Sequence, residues 1–373
     1  MPVRAARKPA APDPARPGRA AAGPSAGTLT SIAADAGVSL STVSKVLNGR
    51  TDVAPSTRER IAQELRRHGY HPGSALGFGV VDLLLGAGEC TVTGEHSPWA
   101  EELIHGTVIA AAEGGHSVVV TPVSSPGEFD RWLALAAFRG THGAISVLHL
   151  PGSVELERLA EAGIPVVVVD PADEPGSEVL SVGTTNWQGG LTATRHLVEL
   201  GHRRIAAIAG PSSLWSSRAR VDGYRAAMLE AGLPADESLI RRDAFSVDGG
   251  RRQAMELLAM ADRPTGIVTG NDAQAFGVLQ ALGQRGLRAP GDVSVVGFDD
   301  VPVATWAAPA LTTVRQPLAA MAATAFRMLR TGDAVAAAGS RHIELATTLV
   351  VRDSTAPPPA PTAGRDRRDL MRS

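Results

Sequence analysis

The spacing of apolar residues changes along the chain and divides it into parts of different structure. Over residues 28–72, apolar side chains recur every three or four residues, which is the period of a helix that buries one face. Over residues 78–354, short runs rich in Val and Ile alternate with longer amphipathic stretches. The pattern therefore predicts a small helical head, a short linker at residues 73–77 and an α/β body.

The head contains the signals of three short helices. Thr30 can cap a helix over about residues 31–36, and Ser39 can cap a second helix over about residues 40–47. Pro55 suits the first position of a third helix. The shared core of these helices is predicted to comprise Ile32, Ala33, Ala36, Val38, Val43, Val46, Leu47, Val53, Ile61, Ala62 and Leu65.

The body shows seven short β-branched runs with helical stretches between them. The predicted strands are residues 79–85, 116–121, 143–148, 164–170, 203–210, 265–270 and 292–299. The predicted helices include residues 100–113, 188–200, 217–231, 249–261 and 272–285. This alternation predicts parallel sheets covered by helices. Because the body is longer than one such sheet needs, we expect two Rossmann-like lobes, with ligands bound at the carboxyl ends of the strands.

The two ends of the chain lack the apolar side chains that a core needs. Residues 1–27 contain nine Ala and six Pro, and residues 355–373 are also poor in large apolar residues, so both segments are predicted to be disordered.

Charge is unevenly distributed along the chain. Residues 1–72 hold 11 Lys and Arg against 5 Asp and Glu, whereas the remaining residues hold 25 Lys and Arg against 33 Asp and Glu. A basic first part indicates either a nucleic-acid module or a basic tail without a partner.

Several classes of protein are disfavoured by what the sequence lacks. No apolar run approaches the roughly 20 residues that span a bilayer, and the basic start has no apolar centre typical of a secretory signal. The single cysteine, Cys90, excludes an internal disulfide and a cysteine-cluster zinc site. We therefore expect a cytoplasmic chain with no membrane segment, no metal site and no cofactor.

Residues 31–49, SIAADAGVSLSTVSKVLNG, have the pattern of a helix-turn-helix. A helix is followed by a turn at Gly37 and by a second helix with a small polar front. Val38 and Val43 would hold that second helix on the core, while its exposed face carries short or cationic side chains that can enter a major groove. The motif predicts binding to double-stranded DNA.

The stretch AGVSLSTVSKVLNG followed by VAPSTRERIAQELRRHGYHP resembles the amino-terminal domain of the LacI/GalR (lactose/galactose-repressor) family. Farther along, TNWQGGLTATRHLVELGHRRIAAIAGP, SRARVDGYRAAM, GNDAQAFGVLQAL, DVSVVGFDD and LTTVRQP resemble that family's effector domain in the expected order. The resemblance implies an α/β protein with a three-helix head and a two-lobed periplasmic-binding-protein-like domain built on parallel sheets. It also implies a homodimeric repressor that binds a near-palindromic operator and a sugar-like effector between its lobes.

The resemblance assigns roles to residues of the second helix. By position, Leu40, Ser41 and Lys45 are implied to read bases, and Lys45 can donate to a guanine edge. A solvated helix face without a partner is the alternative for each. The positions implied to contact phosphates and fix the register are Ser39, Thr42, Ser44 and Asn48.

The linker departs from the family pattern. Family members usually have a hinge helix here whose Leu enters the minor groove, but in this chain Gly73 stands where Asn is usual and several residues are missing. Gly77 and Gly79 also oppose helix formation. We therefore predict no full hinge helix, and we do not expect Leu76 to insert into DNA.

Tryptophan is concentrated in the predicted loops of the body. Trp99, Trp187, Trp215 and Trp306 all fall outside the predicted strands and helices, and three of them follow strands. An indole suits the apolar face of a sugar ring, although packing in the core is the alternative for each. Their joint placement favours a carbohydrate-type cleft.

Polar candidates follow other strands of the body. Arg220 matches the family's effector-binding Arg, and Asp170, Asn271 and Asp299 lie after predicted strands, where they should converge on one crevice. Each of these residues has an alternative role as a helix cap or turn former, and for Asp272 a helix cap is the favoured role. The predicted effector-binding residues are Trp99, Asp170, Trp187, Trp215, Arg220, Asn271 and Asp299. The chain is expected to cross between lobes three times, near Leu180, Thr313 and Ser340.

Two rival functions share this fold. An enzyme is disfavoured because Gly86-Ala87-Gly88 lacks the third Gly of a dinucleotide loop, because neither GxxxxGK nor GxSxG occurs, and because the ten His lack metal-ligand spacing. A transporter's solute-binding protein needs export and has no DNA-reading head. The sequence therefore favours a regulator without enzymatic activity, although a fold of this kind can host many chemistries.

Overall fold

The computed structural model describes residues 27–47, 53–68, 79–86, 97–148, 152–174, 179–337 and 341–359. The chain divides into two compact units between Gly77 and Phe78. The short linker predicted at residues 73–77, the position of Asn48 and the basic arm up to residue 26 lie outside the described residues. Within the described ranges, no helix combines the length and the apolar character that a membrane span requires.

The first unit contains three helices: α1 (Gly27–Asp35), α2 (Leu40–Leu47) and α3 (Pro55–Arg67). Of the predicted core, Ile32, Ala33, Ala36, Val43, Val46, Val53, Ile61 and Leu65 are buried. The cap at Ser39 is confirmed, since its hydroxyl accepts from the amide of Thr42 at 3.2 Å. The cap predicted at Thr30 is wrong because α1 begins earlier, where half-buried Leu29 extends its apolar face.

The first lobe of the second unit is a six-stranded parallel sheet in the order β11-β5-β4-β3-β1-β2. Its strands are β1 (Gly79–Gly86), β2 (His116–Val123), β3 (Gly143–Val147), β4 (Val166–Val169), β5 (Leu180–Thr184) and β11 (His342–Leu345). Its helices are α4 (Pro98–Glu113), α5 (Pro126–Arg139), α6 (Ser153–Glu161) and α12 (Leu318–Ala337). The central strand β3 is buried throughout, which explains its lack of polar alternation.

The second lobe repeats the plan with a six-stranded sheet in the order β12-β10-β9-β8-β6-β7. Its strands are β6 (Ile205–Ala209), β7 (Ile240–Arg242), β8 (Gly266–Thr269), β9 (Ser294–Asp299), β10 (Thr312–Arg315) and β12 (Thr348–Val350). Its helices are α7 (Asn186–Glu199), α8 (Trp215–Glu230), α9 (Val247–Leu258), α10 (Asp272–Gln284) and α11 (Val303–Trp306), with a 3-10 helix at Glu237–Leu239. Only β12 among these strands pairs antiparallel, with β10.

The chain passes between the two lobes three times, as predicted, but at later positions than expected. The crossings follow β5, β10 and β11, because the chain completes each of these strands before it leaves the lobe. The first and third crossings are hydrogen-bonded to each other: the amide of Thr185 donates to the carbonyl of Leu345 at 3.0 Å, and the amide of Thr347 donates to Oγ1 of Thr185 at 3.0 Å.

The second lobe extends past the boundary predicted at residue 354. Ser354 is buried, and its hydroxyl donates to the carbonyl of Val295. The amide of Ala356 donates to Oγ of Ser294 at 3.0 Å. Residues 355–359, predicted to be disordered, therefore include ordered positions on this lobe, and residues 360–373 lie outside the described ranges.

Candidate functional site

The strands of both lobes end at a cavity of about 440 Å³. The residues that line it are Ser97, Trp99, Leu148, Asp170, Leu214, Ser216, Arg220, Phe245, Asn271, Asp299 and Gln316. Five of the seven residues predicted to bind an effector are among them: Trp99, Asp170, Arg220, Asn271 and Asp299. The structure thus brings together residues that lie as much as two hundred positions apart in the sequence.

Arg220 is positioned by the close packing of α7 against α8. A Cβ on Gly223 would lie 2.1 Å from the carbonyl oxygen of Trp187, so only glycine permits this approach of the two helices. The guanidinium donates from Nε to Oδ1 of Asn186 at 2.9 Å and from Nη1 to the carbonyl of Gly270. Because these bonds hold a side chain that is only 8% exposed, its orientation is set in the protein itself.

Two buried carboxylates face the same cavity from opposite lobes. Asp170 follows β4 and Asp299 ends β9, and both adopt positive φ, at 49° and 110°. Burial raises the pKa of Asp299 to about 7, while the positive charge of Arg220 opposes this shift. Burial also raises the pKa of Asp170, against the effects of Arg220 and Asn186. The carboxylates can accept hydrogen bonds from ligand hydroxyls, and the guanidinium beside them can donate hydrogen bonds to ligand hydroxyls.

Asn271 has a structural role in addition to its place in the cavity wall. It is the N-cap of α10, and its Oδ1 accepts from the amide of Gln274 at 2.9 Å. The prediction that Asp272 caps this helix is therefore wrong, because the cap is the preceding residue, Asn271. Asp272 is buried and accepts from Oγ1 of Thr313 at 2.6 Å and from the amide of Val301 at 3.0 Å. Its burial and the nearby Asp299 charge raise its pKa well above the usual value.

The four tryptophans were predicted in loops, but all four lie at helix ends. Trp99 lines the cavity, whereas Trp187 and Trp215 line a separate cavity of about 1170 Å³. Trp306 ends α11 and is 77% exposed. Trp187 and Trp215 are therefore not among the residues that line the cavity of Arg220.

Sequence reasoning did not propose Phe245 or Gln316 as ligand contacts. Phe245 follows β7, a three-residue strand too short to show a period of two. Gln316 follows β10 within LTTVRQP, where the strand run was not recognised. The amide of Gln316 donates from Nε2 to Oδ1 of Asp299 at 2.7 Å, so it orients one of the cavity carboxylates.

In the first unit, helix α2 presents its predicted DNA-reading residues on one face. Val43 and Val46 are buried, whereas Leu40, Ser41, Ser44 and Lys45 are exposed and Thr42 is half-buried. Leu40 is 49% exposed. At the start of the helix, Oγ of Ser39 lies 2.8 Å from the hydroxyls of Ser41 and Thr42. A helix N-terminus with hydroxyls of this kind is suited to phosphate oxygens.

Comparisons with known families cover both units. Residues 28–73 match the family described as bacterial regulatory proteins, lacI family. Residues 194–355 match the periplasmic binding protein-like domain family. The HTH-type transcriptional regulator CelR of Thermobifida fusca is 34% identical over 335 residues, which cover 88% of this chain and 98% of that protein.

Solved structures of similar proteins show the same architecture. The structure of a transcriptional regulator CelR–cellobiose complex superposes with a TM-score of 0.65 at 33% identity, covering 87% of this chain and 99% of that one. The Lac repressor dimer bound to operator and the anti-inducer ONPF superposes with a TM-score of 0.64 at 25% identity, covering 88% of this chain and 98% of that one.

Proposed function

The chain belongs to the LacI family of DNA-binding transcriptional regulators, and on that premise we propose that it is a repressor controlled by a small carbohydrate-type effector. The effector binds in the 440 Å³ cavity between the lobes and changes the affinity of the head for its operator. A bacterial regulator that reads chromosomal DNA acts in the cytoplasm, which is where this protein works.

The observation that carries the proposal is the convergence of Arg220, Asp170 and Asp299 beside Trp99. An indole can cover the apolar face of a sugar ring, while carboxylates and a guanidinium satisfy its hydroxyls. The cellobiose bound in the CelR complex is a ligand of this chemical class.

The exposed face of α2 supports the DNA-binding half of the proposal. A single recognition helix covers one half-site, so two heads related by a two-fold axis read a near-palindromic operator.

We propose a homodimer formed through the second unit. Val108 and Ile109 on α4 and Val120 on the edge strand β2 are each at least 40% exposed, and they offer an apolar surface for a second copy.

Control by the effector requires that the two lobe arrangements differ in their affinity for it. A ligand shifts the equilibrium only by its differential affinity, and the coupling to DNA is reciprocal. The three crossings are the parts of the chain about which the lobes can move. Lobe movement then changes the placement of the two heads on the operator.

The proposal is tested by selecting bound duplexes from a random DNA library at one fixed salt concentration, with the full chain, with and without a panel of sugars that includes cellobiose. We expect enrichment of a near-palindrome whose recovery one sugar weakens or strengthens. Binding that responds only to salt, with no enriched sequence, would contradict operator recognition. An enriched operator that no sugar affects would contradict the carbohydrate effector.

A further inference from the structure

The end of strand β5 connects the cavity to the first lobe through two short chains of hydrogen bonds that meet at Thr184. In one chain, Oγ1 of Thr184 donates to Oε1 of Gln316 at 2.8 Å, and Nε2 of Gln316 donates to Oδ1 of Asp299 at 2.7 Å. In the other, Nδ2 of Asn186 donates to the carbonyl of Thr184 at 3.2 Å, and Oδ1 of Asn186 accepts from Arg220. Asp299 and Arg220 are thus each linked to Thr184 through one side-chain amide.

The first chain has a fixed direction. The side chain of Gln316 ends in one acceptor atom, Oε1, and one donor atom, Nε2, so an amide oxygen that accepts from Thr184 places the amide nitrogen against Asp299. The three residues are at most 5% exposed, which leaves water little access as a substitute partner. Losing either bond would leave a buried polar group unsatisfied, unless the residues rearrange.

The same residues span the connection between the lobes. Thr184 is the last residue of β5 in the first lobe, Gln316 lies on the second crossing, and Asp299 ends β9 in the second lobe. Thr184 is also in register with Leu345 at the third crossing. Two hydrogen bonds therefore connect the Asp299 carboxylate to Thr184, which lies where the first lobe joins the second.

We propose that the hydroxyl of Thr184, acting through Gln316, couples occupancy of the cavity to the arrangement of the two lobes. Gln316 and Asn186 are positioning residues: they orient the charged groups and tie them to β5. An effector hydroxyl that donates to Asp299 shares the carboxylate with Gln316 and withdraws negative charge from the Gln316–Asp299 bond, so the Thr184–Gln316 bond also weakens. This inference rests on the proposed function, because it names how an effector in that cavity acts.

The first test needs no effector. Spin labels are attached at Val154→Cys in the first lobe and Leu229→Cys in the second, two positions that are 65% and 78% exposed, in a Cys90→Ser background. Labelled full-length chain is diluted into excess unlabelled chain, so that only distances within one chain are measured. Thr184→Val should shift or broaden the distance distribution between the lobes, whereas Thr184→Ser, which keeps the hydroxyl, should retain the wild-type distribution.

Thr107→Val is the matched control, because Thr107 is equally buried and its hydroxyl donates only within α4, to the carbonyl of Leu103 at 2.8 Å. It should leave the distribution unchanged. If Thr184→Val fails to fold, Gln316→Met serves in its place. This substitution removes the side-chain amide that links Thr184 to Asp299, and it should also shift the distance distribution. A wild-type distribution in the folded valine variant, or an equal shift in the serine variant, would overturn the proposal.

The second test measures operator affinity with and without cellobiose. We expect cellobiose to change the affinity of the wild type and of Thr107→Val, and Thr184→Val to reduce that change at least about fivefold, the lower end of typical allosteric coupling. An unreduced change would overturn the role of Thr184. Absence of any cellobiose effect on the wild type, together with a shifted distance distribution in Thr184→Val, would contradict cellobiose as the effector and would still support the interlobe role of Thr184.

Discussion

The guanidinium of Arg220 stacks on the ring of Phe298, with its central carbon 3.7 Å from the ring centroid. Phe298 is the residue before Asp299, yet Nη1 of Arg220 remains 4.0 Å from the Asp299 carboxylate. The stacking and the bonds to Asn186 and Gly270 therefore hold the two opposite charges side by side without a bidentate ion pair. A ligand can bridge groups arranged in this way.

This arrangement predicts that Arg220→Ala abolishes the response to effector and spares operator binding, because α2 lies in the other unit. Arg220→Lys should also lose most of the response, since an ammonium lacks the planar face that stacks on Phe298. Fluorescence anisotropy on labelled operator, with and without the selected sugar, measures both properties. Arg225→Ala, on an exposed turn of the same helix, is the control and should respond normally. A normal response in Arg220→Ala would remove this residue from the site.

Effector binding should depend on pH through Asp299. Its pKa is about 7 in the protein because it is buried, and a ligand hydroxyl that donates to the carboxylate stabilises the charged form. Affinity should therefore be constant above about pH 7 and fall as the pH is lowered, by at most about tenfold per pH unit. Titration calorimetry at a series of pH values checks this. Asp299→Asn should bind more weakly with a flatter profile; an unchanged slope would assign the titration to another group, such as Asp170.

Lys45 should contribute to sequence discrimination as well as to affinity. Its exposed place on α2, beside Leu40 and Ser41, predicts contact with a base edge in the major groove. Lys45→Ala should relax the preference at one base position in each half-site, with a loss of about 1–3 kcal/mol there. Affinities for a set of single-base operator variants measure the effect. A uniform weakening across all variants would show a phosphate contact instead.

The space around two glycines predicts opposite effects for their substitution by Ala: Gly223 lies where α8 packs on α7, and Gly283 lies in α10. Gly223→Ala places a methyl group 2.1 Å from the Trp187 carbonyl and 2.6 Å from the Leu191 amide, so the helices must separate. We expect a loss of about 1–3 kcal/mol in the free energy of unfolding. Gly283→Ala in α10 meets no atom within 4 Å and should gain about 0.5–1 kcal/mol. Urea denaturation compares the two, and equal stabilities would contradict the packing argument.

Much of the architecture could be predicted from local patterns. The three helices of the head, seven strands of the body and the parallel character of the sheets follow from periodicity and capping signals, because these depend on neighbours within one element. The strands β5, β7, β10, β11 and β12 were not predicted. They have three to five residues, as several of the predicted strands do, but each includes polar residues and lacks the continuous β-branched run that marks a buried strand. Their pairing partners are also distant in the sequence.

The candidate site divides in the same way. The sequence alone could predict that Asp170 and Asp299 lie at the cavity, because both follow buried parallel strands and ligands bind at the carboxyl ends of such strands. The sequence also carried the resemblance that singled out Arg220. Only the tertiary structure decided that Trp187 and Trp215 face another cavity, that Phe245 and Gln316 join the wall, and that Thr184 lies two hydrogen bonds from Asp299. The direction of a side chain at the start of a helix depends on how that helix docks, and docking is set by contacts such as Gly223 against Trp187, between residues that no local pattern relates.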